Sequence, residues 1–215
     1  FNFSHVLDGE KSLEEIMVEG PFGVKLVPGA SGIQHMASLN EQQTASIISA
    51  FSELESDIDY LIVDMAAGLS DSVMTFLCAC QRRYIVLKNE PSSIDDAYAT
   101  IKVMLQDYNL DNIWLIPNAV TSQPDGIRLS KNINTVVKNF LGGQVNYLHS
   151  ITSDEMVLRA TKSSKCLLDF APSSNATRDF KELAKIVDSQ GPDIGISGGL
   201  QFFLERIVAD QVKVG

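Results

Sequence analysis

Residues 59–73 read DYLIVDMAAGLSDSV. An unbroken apolar run, Leu61-Ile62-Val63, ends in an acid, Asp64. The small residues Ala66, Ala67 and Gly68 follow, and then a helix start at Ser70-Asp71-Ser72. A continuous apolar run suits a parallel strand buried on both faces. Such a strand delivers its terminal carboxylate to the sheet edge, where α/β proteins bind ligands and where magnesium and phosphate commonly sit. The rest of the chain repeats this grammar. Candidate strands are 24–27, 60–64, 84–87, 113–117 and 145–148, separated by long stretches of helical period. Asn40-Glu41-Gln42-Gln43 reads as a capping box, and Ile47, Ile48, Phe51 and Leu54 then recur at helical spacing. Further helices fit 71–80, 93–107, 127–141 and 174–188. Strands alternating with helices predict an α/β fold: a doubly wound, mostly parallel sheet with helices on both faces.

The 215 residues suffice for one such domain, assigned to 1–188. Residues 189–198, rich in Gly, Pro and Ser, read as a linker, and 199–215 as an amphipathic tail. The net charge of −10 and the absence of a Lys/Arg cluster argue against direct nucleic-acid binding. No apolar run is long enough to span a bilayer. Cys78 and Cys80 point to different faces of a predicted helix, which argues against a disulfide framework or zinc site and for a reducing cytoplasm.

A phosphate loop is hard to find. Gly9-Glu10-Lys11-Ser12 lacks an upstream glycine and a preceding strand, and Glu10 would aim a carboxylate at the phosphate. Gly29-Ala30-Ser31-Gly32 follows a strand but has no lysine. His5, His35 and His149 show no ligand spacing. Three strand ends nevertheless look alike in placement: Asp64–Gly68, LKNEPSSIDDAY (87–98) and IPNAV (116–120). In the second, Pro91 and Ser92-Ser93 set up a helix N-terminus with Asp95 and Asp96 in its first turn.

Taken together, SHVLDGEKSLEEIMVEGPFGVKLVPGASGIQHMASL (4–39), DYLIVDMAAGLSDSV (59–73), NEPSSIDDAYATIKVM (89–104), IPNAVTS (116–122) and APSSNATRDFKELAKIV (171–187) resemble the MinD/ParA class of ATPases with a deviant Walker A motif. Within that class they resemble the flagellar-number regulators of the FleN/FlhG family. The resemblance implies a P-loop NTPase fold of the SIMIBI type whose first strand, two-lysine phosphate loop and switch I aspartate precede Phe1. On that reading residues 1–215 alone bind no Mg-ATP appreciably. It implies Asp64 as the Walker B acid that holds Mg²⁺, and Gly68 as the switch II glycine at the γ-phosphate. Asn118 would contact the adenine, Pro172 would line it, and Glu90 and Asp96 would lie near the interface of a dimer that sandwiches two nucleotides. Three departures stand out: Met65 after the acid, Asp95 where Thr is common, and Ile151-Thr152 where Pro often follows the strand.

The resemblance further implies an ATP- and Mg²⁺-dependent switch that regulates flagellar number, placement and gene expression. Its partners would be a second copy in an ATP-dependent homodimer, the flagellar master transcription activator and the signal-recognition-like flagellar GTPase. It would be cytoplasmic, peripheral on the inner face of the membrane near the cell pole. The competing readings are a ParA-like DNA-partitioning ATPase and a non-enzymatic partner-binding remnant. For the tail, a helix over 199–209 would align Leu200, Phe203, Leu204, Ile207 and Val208 on one face, with Phe202 nearly opposite. The resemblance makes this a reversible membrane helix. Its local charges nearly cancel, so apolar insertion must dominate.

Overall fold

The computed structural model describes residues 1–29, 40–54, 58–66, 68–191 and 201–203. The chain divides into two compact units, Phe1–Gln81 with Ile194–Gly215, and Arg82–Asp193.

The first unit opens with two short helices, α1 (Phe3–Leu7) and α2 (Leu13–Ile16), and a two-stranded antiparallel hairpin, β1 (Val18–Glu19) and β2 (Lys25–Leu26). The strand predicted at 24–27 is therefore half of a hairpin and not a member of the parallel sheet. Its local sequence explains this: Gly20-Pro21-Phe22-Gly23 makes a tight turn, with Phe22 and Gly23 both at positive φ. Helix α3 (Glu41–Ser52) starts at the expected capping box, where the Gln43 amide donates to Asn40 Oδ1 at 2.8 Å and the Asn40 amide to Gln43 Oε1 at 3.1 Å. Ile47, Ile48, Phe51 and Leu54 are all buried, as their spacing requires. Helix α4 (Asp71–Ala79) is capped by Ser70.

Residues 60–64, read as a strand buried on both faces, pair with no other strand among the described residues. Burial alternates along them: Leu61 and Val63 pack toward the core of the unit, while Ile62 is 88% exposed. Period-2 accessibility marks an extended chain with one covered face. A backbone ladder needs a neighbouring strand, and none of the described strands supplies one.

The second unit carries the parallel sheet. Strands β3 (Arg83–Leu87) and β4 (Ile113–Val120) pair in parallel, joined by α5 (Pro91–Gln106). Helix α6 (Gln123–Leu141) returns to β5 (Asn146–Tyr147), which pairs with β4 at Trp114 and Leu115. After His149-Ser150, β6 (Ile151–Thr152) resumes pairing farther along β4, at Asn118 and Val120. All three pairings are parallel. On one face of β4, Pro117 lies against Gly126 of α6; Ile113 and Leu115 share that face by strand alternation and are fully buried. On the other, Trp114 and Ile116 join a core with Leu183, Ile186 and Val187 of α9 (Asn175–Ser189). Between β6 and α9 lie α7 (Glu155–Lys162) and α8 (Leu167–Phe170). The unit is thus an α/β sheet with helices on both faces.

Candidate functional site

The six expected site residues divide between the units. Asp64 and Gly68 belong to the first; Glu90, Asp96, Asn118 and Pro172 belong to the second.

Asp64 closes the extended segment. It is exposed and makes no hydrogen bond or ion pair with any described residue. Gly68 has φ +121°, a backbone conformation that side chains avoid, and nothing lies within 4 Å of where its Cβ would stand. A carboxylate is a hard oxygen donor suited to Mg²⁺, and a glycine with no side chain lets a ligand approach the backbone closely. One carboxylate and one backbone position are of the chemical kind a magnesium–phosphate ligand uses; among the described residues no cluster of three or more His, Cys, Asp or Glu could hold a metal ion.

The alternative loop at Gly9–Ser12 is occupied by its own chain. Ser12 caps α2 and receives the Glu15 amide, while Lys11 Nζ sits 2.7 Å from Glu15 Oε1. This bond, followed by the Ser12 amide, holds the Glu15 carboxyl below the usual range.

In the second unit α5 begins at Pro91, with Glu90 as an N-cap residue that makes no side-chain cap bond. Asp95 and Asp96 consequently fall in the second turn, not the first. Nor do the serines cap the helix: Ser93 Oγ instead accepts from the Lys88 amide at 3.0 Å and ties the strand end to the helix. Glu90 lines a cleft of about 240 Å³ with Lys88, Asn89, Thr121 and Asp125. Asp96 is exposed and does not line it.

Asn118 sits at an irregularity in β4. Between Asn118 and Val120 the register with β6 shifts, and Ala119 takes φ +54°. Asn118 Oδ1 accepts from the Ala119 amide at 2.9 Å, so the side chain is folded onto its own bulge. Bulges re-aim side chains where strands meet ligands. Pro172 is exposed in the turn before α9. That turn is fixed by Asp154, which accepts from the Met156 amide at 2.9 Å and the Ala176 amide at 3.2 Å. These two amides, Met156 first, hold the Asp154 carboxyl below the ordinary aspartate range.

Sequence reasoning missed a half-buried polar network beside Asn118. Gln123 Nε2 donates to Ser150 O (2.8 Å) and to Asp179 Oδ1 (2.9 Å), and Tyr147 OH donates to Gln123 Oε1 (3.1 Å). Asp179 Oδ2 accepts from both the amide (2.8 Å) and the hydroxyl (2.5 Å) of Thr152. The only sequence signal is the polar Tyr147, His149, Ser150 and Thr152, where a strand was expected to end.

In the tail, Phe202 lies in the first unit's core, 4% exposed. Its ring stacks on Phe76 and meets Phe51 edge-on, and its amide donates to Ala79 O at 3.2 Å. Residues 202–203 form a turn, with Phe203 at φ 57° and half-buried against the same core. The helix predicted through 199–209 is not formed at these positions. A helix cannot present Phe202 and the opposite stripe to one surface, and the core takes Phe202. Leu200, Leu204, Ile207 and Val208 lie outside the described residues. Among the described residues no helix is long and apolar enough to cross a membrane.

The chain is 37% identical over 203 residues to the antiactivator FleN of Pseudomonas aeruginosa, covering 94% of this chain and 72% of that protein. This decides the family. The chain belongs to the FleN/YlxH family of MinD-like proteins. Identity to the flagellum site-determining protein YlxH of Helicobacter pylori is 30% over 211 residues, covering 96% and 71% of the two chains. No family model matches. The fold likewise resembles that of the septum site-determining protein MinD from Pyrococcus horikoshii, solved as a complex with Mg-ADP. The TM-score is 0.68 at 21% identity, covering 88% of this chain and 74% of that one. Within the FleN family, then, the sheet with its two helical faces is of the SIMIBI P-loop type.

Proposed function

We propose that this FleN-family chain is the greater part of an ATP- and Mg²⁺-dependent switch that regulates flagellar number and placement, and through an activator partner, flagellar gene expression. The observation that carries the reading is its identity to the antiactivator FleN along nearly its whole length. In this reading Asp64 holds the metal through its carboxylate, and Gly68 offers its amide to the terminal phosphate. Asn118 reads the adenine edge with its amide, which both donates and accepts. Pro172 lines the base, and Glu90 and Asp96 lie toward a second copy in a nucleotide-bound dimer. When bound, the metal would neutralise charge developing on the transferred phosphate. The protein acts in the cytoplasm and at the inner membrane face near the pole. There the C-terminal tail, residues 199–215, makes reversible lipid contact, and the signal-recognition-like GTPase is a further partner.

Asp64→Ala in the full-length protein tests the core of this proposal. Steady-state ATP hydrolysis should fall by far more than tenfold, about 1.4 kcal/mol of barrier, with circular dichroism unchanged. Turnover within tenfold of wild type would make Asp64 a structural acid and remove the metal site from the proposal.

A further inference from the structure

We propose that Asp179, on α9, is the positioning residue that sets base selectivity by holding β6 against the bulge that carries Asn118. The inference rests on the reading of Asn118 as the base contact.

Asp179 reaches β6 from the opposite element. Oδ2 takes two bonds from one residue, the amide and the hydroxyl of Thr152, and Oδ1 takes a third from Gln123 Nε2. Its side chain is only 15% exposed, so these bonds to a carboxylate are shielded from water. Thr152 is the residue paired with Val120, Ile151 is paired with Asn118, and the Ser153 amide donates to Val120 O at 2.8 Å. The two rungs of β6 therefore span the irregular step at Ala119. A strand of two residues has too few rungs to fix its own register; the double grip on Thr152 fixes it from outside.

The network has a direction. Gln123 Nε2 faces two acceptors, Ser150 O and Asp179 Oδ1, and its Oε1 faces the Tyr147 hydroxyl. Turning this amide over would place Oε1 against the Ser150 carbonyl. An amide at position 179 therefore cannot be accommodated by a flip of Gln123. Whichever way it turns, the side-chain amide introduced by Asp179→Asn sets an NH₂ against either the Thr152 donors or Gln123 Nε2. His149 Nε2 lies 3.8 Å from Oδ1, beyond hydrogen-bond distance, and has no hydrogen-bond partner among the described residues.

The test compares wild type, Asp179→Asn and Thr152→Val of the full-length protein by calorimetry with Mg-ATP, Mg-GTP and Mg-tripolyphosphate. The third ligand reads phosphate contacts without a base. In Asp179→Asn the preference for ATP over GTP should fall about tenfold or more, while tripolyphosphate affinity stays within about twofold. Thr152→Val loses one of the two grips and keeps the strand-forming shape, so its preference should fall in the same direction by less. It carries the test if Asp179→Asn does not fold. Unchanged preference in the folded variants overturns the inference. So does a parallel loss of ATP and tripolyphosphate, which would make Asp179 a general stabiliser. A wild-type protein with no preference for ATP over GTP would end the Asn118 reading itself, and this inference with it.

Discussion

Gly126 of α6 offers a sharp test of how the second unit is packed. A Cβ added there would stand 1.9 Å from Ser150 Oγ, 2.8 Å from Ser150 Cβ and 3.3 Å from Pro117 Cβ. Ser150 cannot retreat: it is fully buried, its hydroxyl is bonded to Tyr147 OH at 3.1 Å and its carbonyl accepts from Gln123. Forcing a methyl into a packed site costs about 1–3 kcal/mol. Displacing the Ser150 hydroxyl from Tyr147 adds about 1 kcal/mol. Replacing glycine by alanine inside a helix returns about 1 kcal/mol. Gly126→Ala should therefore destabilise the unit by about 1–3 kcal/mol, although helix propensity alone predicts a gain. Trp114 is the single tryptophan and lies on β4, so its fluorescence in a urea titration reports this unit. With a slope of about 2 kcal/mol per molar, the midpoint should drop by about 0.5–1.5 M. Ser150→Ala in the Gly126→Ala background removes the worst contact and should recover part of the loss. A Gly126→Ala protein as stable as wild type, or more so, would refute the packing of α6 on the His149-Ser150 corner.

Asp154→Asn should cost about 1 kcal/mol at neutral pH through the weakened cap of α7 and the loosened turn before α9. Because the folded carboxyl titrates below the ordinary aspartate range, its stabilisation is present above that range and is lost as pH falls through the folded value. The difference between the two proteins should therefore vanish in acid unfolding. Phe202→Ala removes a ring seated between Phe51 and Phe76 and should lower the stability of the first unit by about 3 kcal/mol, read as faster amide exchange in α3 and α4. Deleting 204–215 from the full-length ATP-bound protein, which leaves Phe202 and Phe203 in the core, should abolish flotation with liposomes; unchanged flotation would assign the tail to the domain or to a protein partner. Gly68→Ala should leave the fold intact, since no atom crowds the site, yet strain a φ of +121° and weaken Mg-ATP binding about tenfold by calorimetry.

The parts legible in the sequence were those governed by local pattern. The Asn40–Gln43 box specified the start of α3, and the period of Ile47, Ile48, Phe51 and Leu54 its buried face, although Leu54 lies past the helix end at Ser52. The apolar runs of β3 and β4 were equally plain. The first turn of α6 was not, since the helix was placed from 127; Pro124 sits in that first turn, where it lacks no bond, and Gly126 is demanded by Ser150 packed against it. The strand at 24–27 failed because four residues of turn chemistry outweighed the apolar run beyond them. At the candidate site, the sequence singled out Asp64 and Gly68 through a resemblance, and the structure puts Asp64 at the end of an extended segment and Gly68 at a positive φ. Asp179 and Gln123 were not, since nothing in the spacing of residues 56 apart says that they share a hydrogen bond.

The burial of Phe202 has a temporal side. The second unit is one continuous stretch of chain, Arg82–Asp193, whereas the first unit recruits Gln201 and Phe202 after that stretch has been made. A ribosome releases the chain from its N-terminus, a few residues each second. The parallel sheet can therefore close while synthesis continues, but Phe51 and Phe76 wait with an unfilled hydrophobic seat until the residues past 200 emerge. Nascent chains that have emerged from the ribosome past residue 193 but not as far as residue 202 should thus carry a finished C-terminal unit behind an unfinished N-terminal one, the reverse of the order in which they were translated.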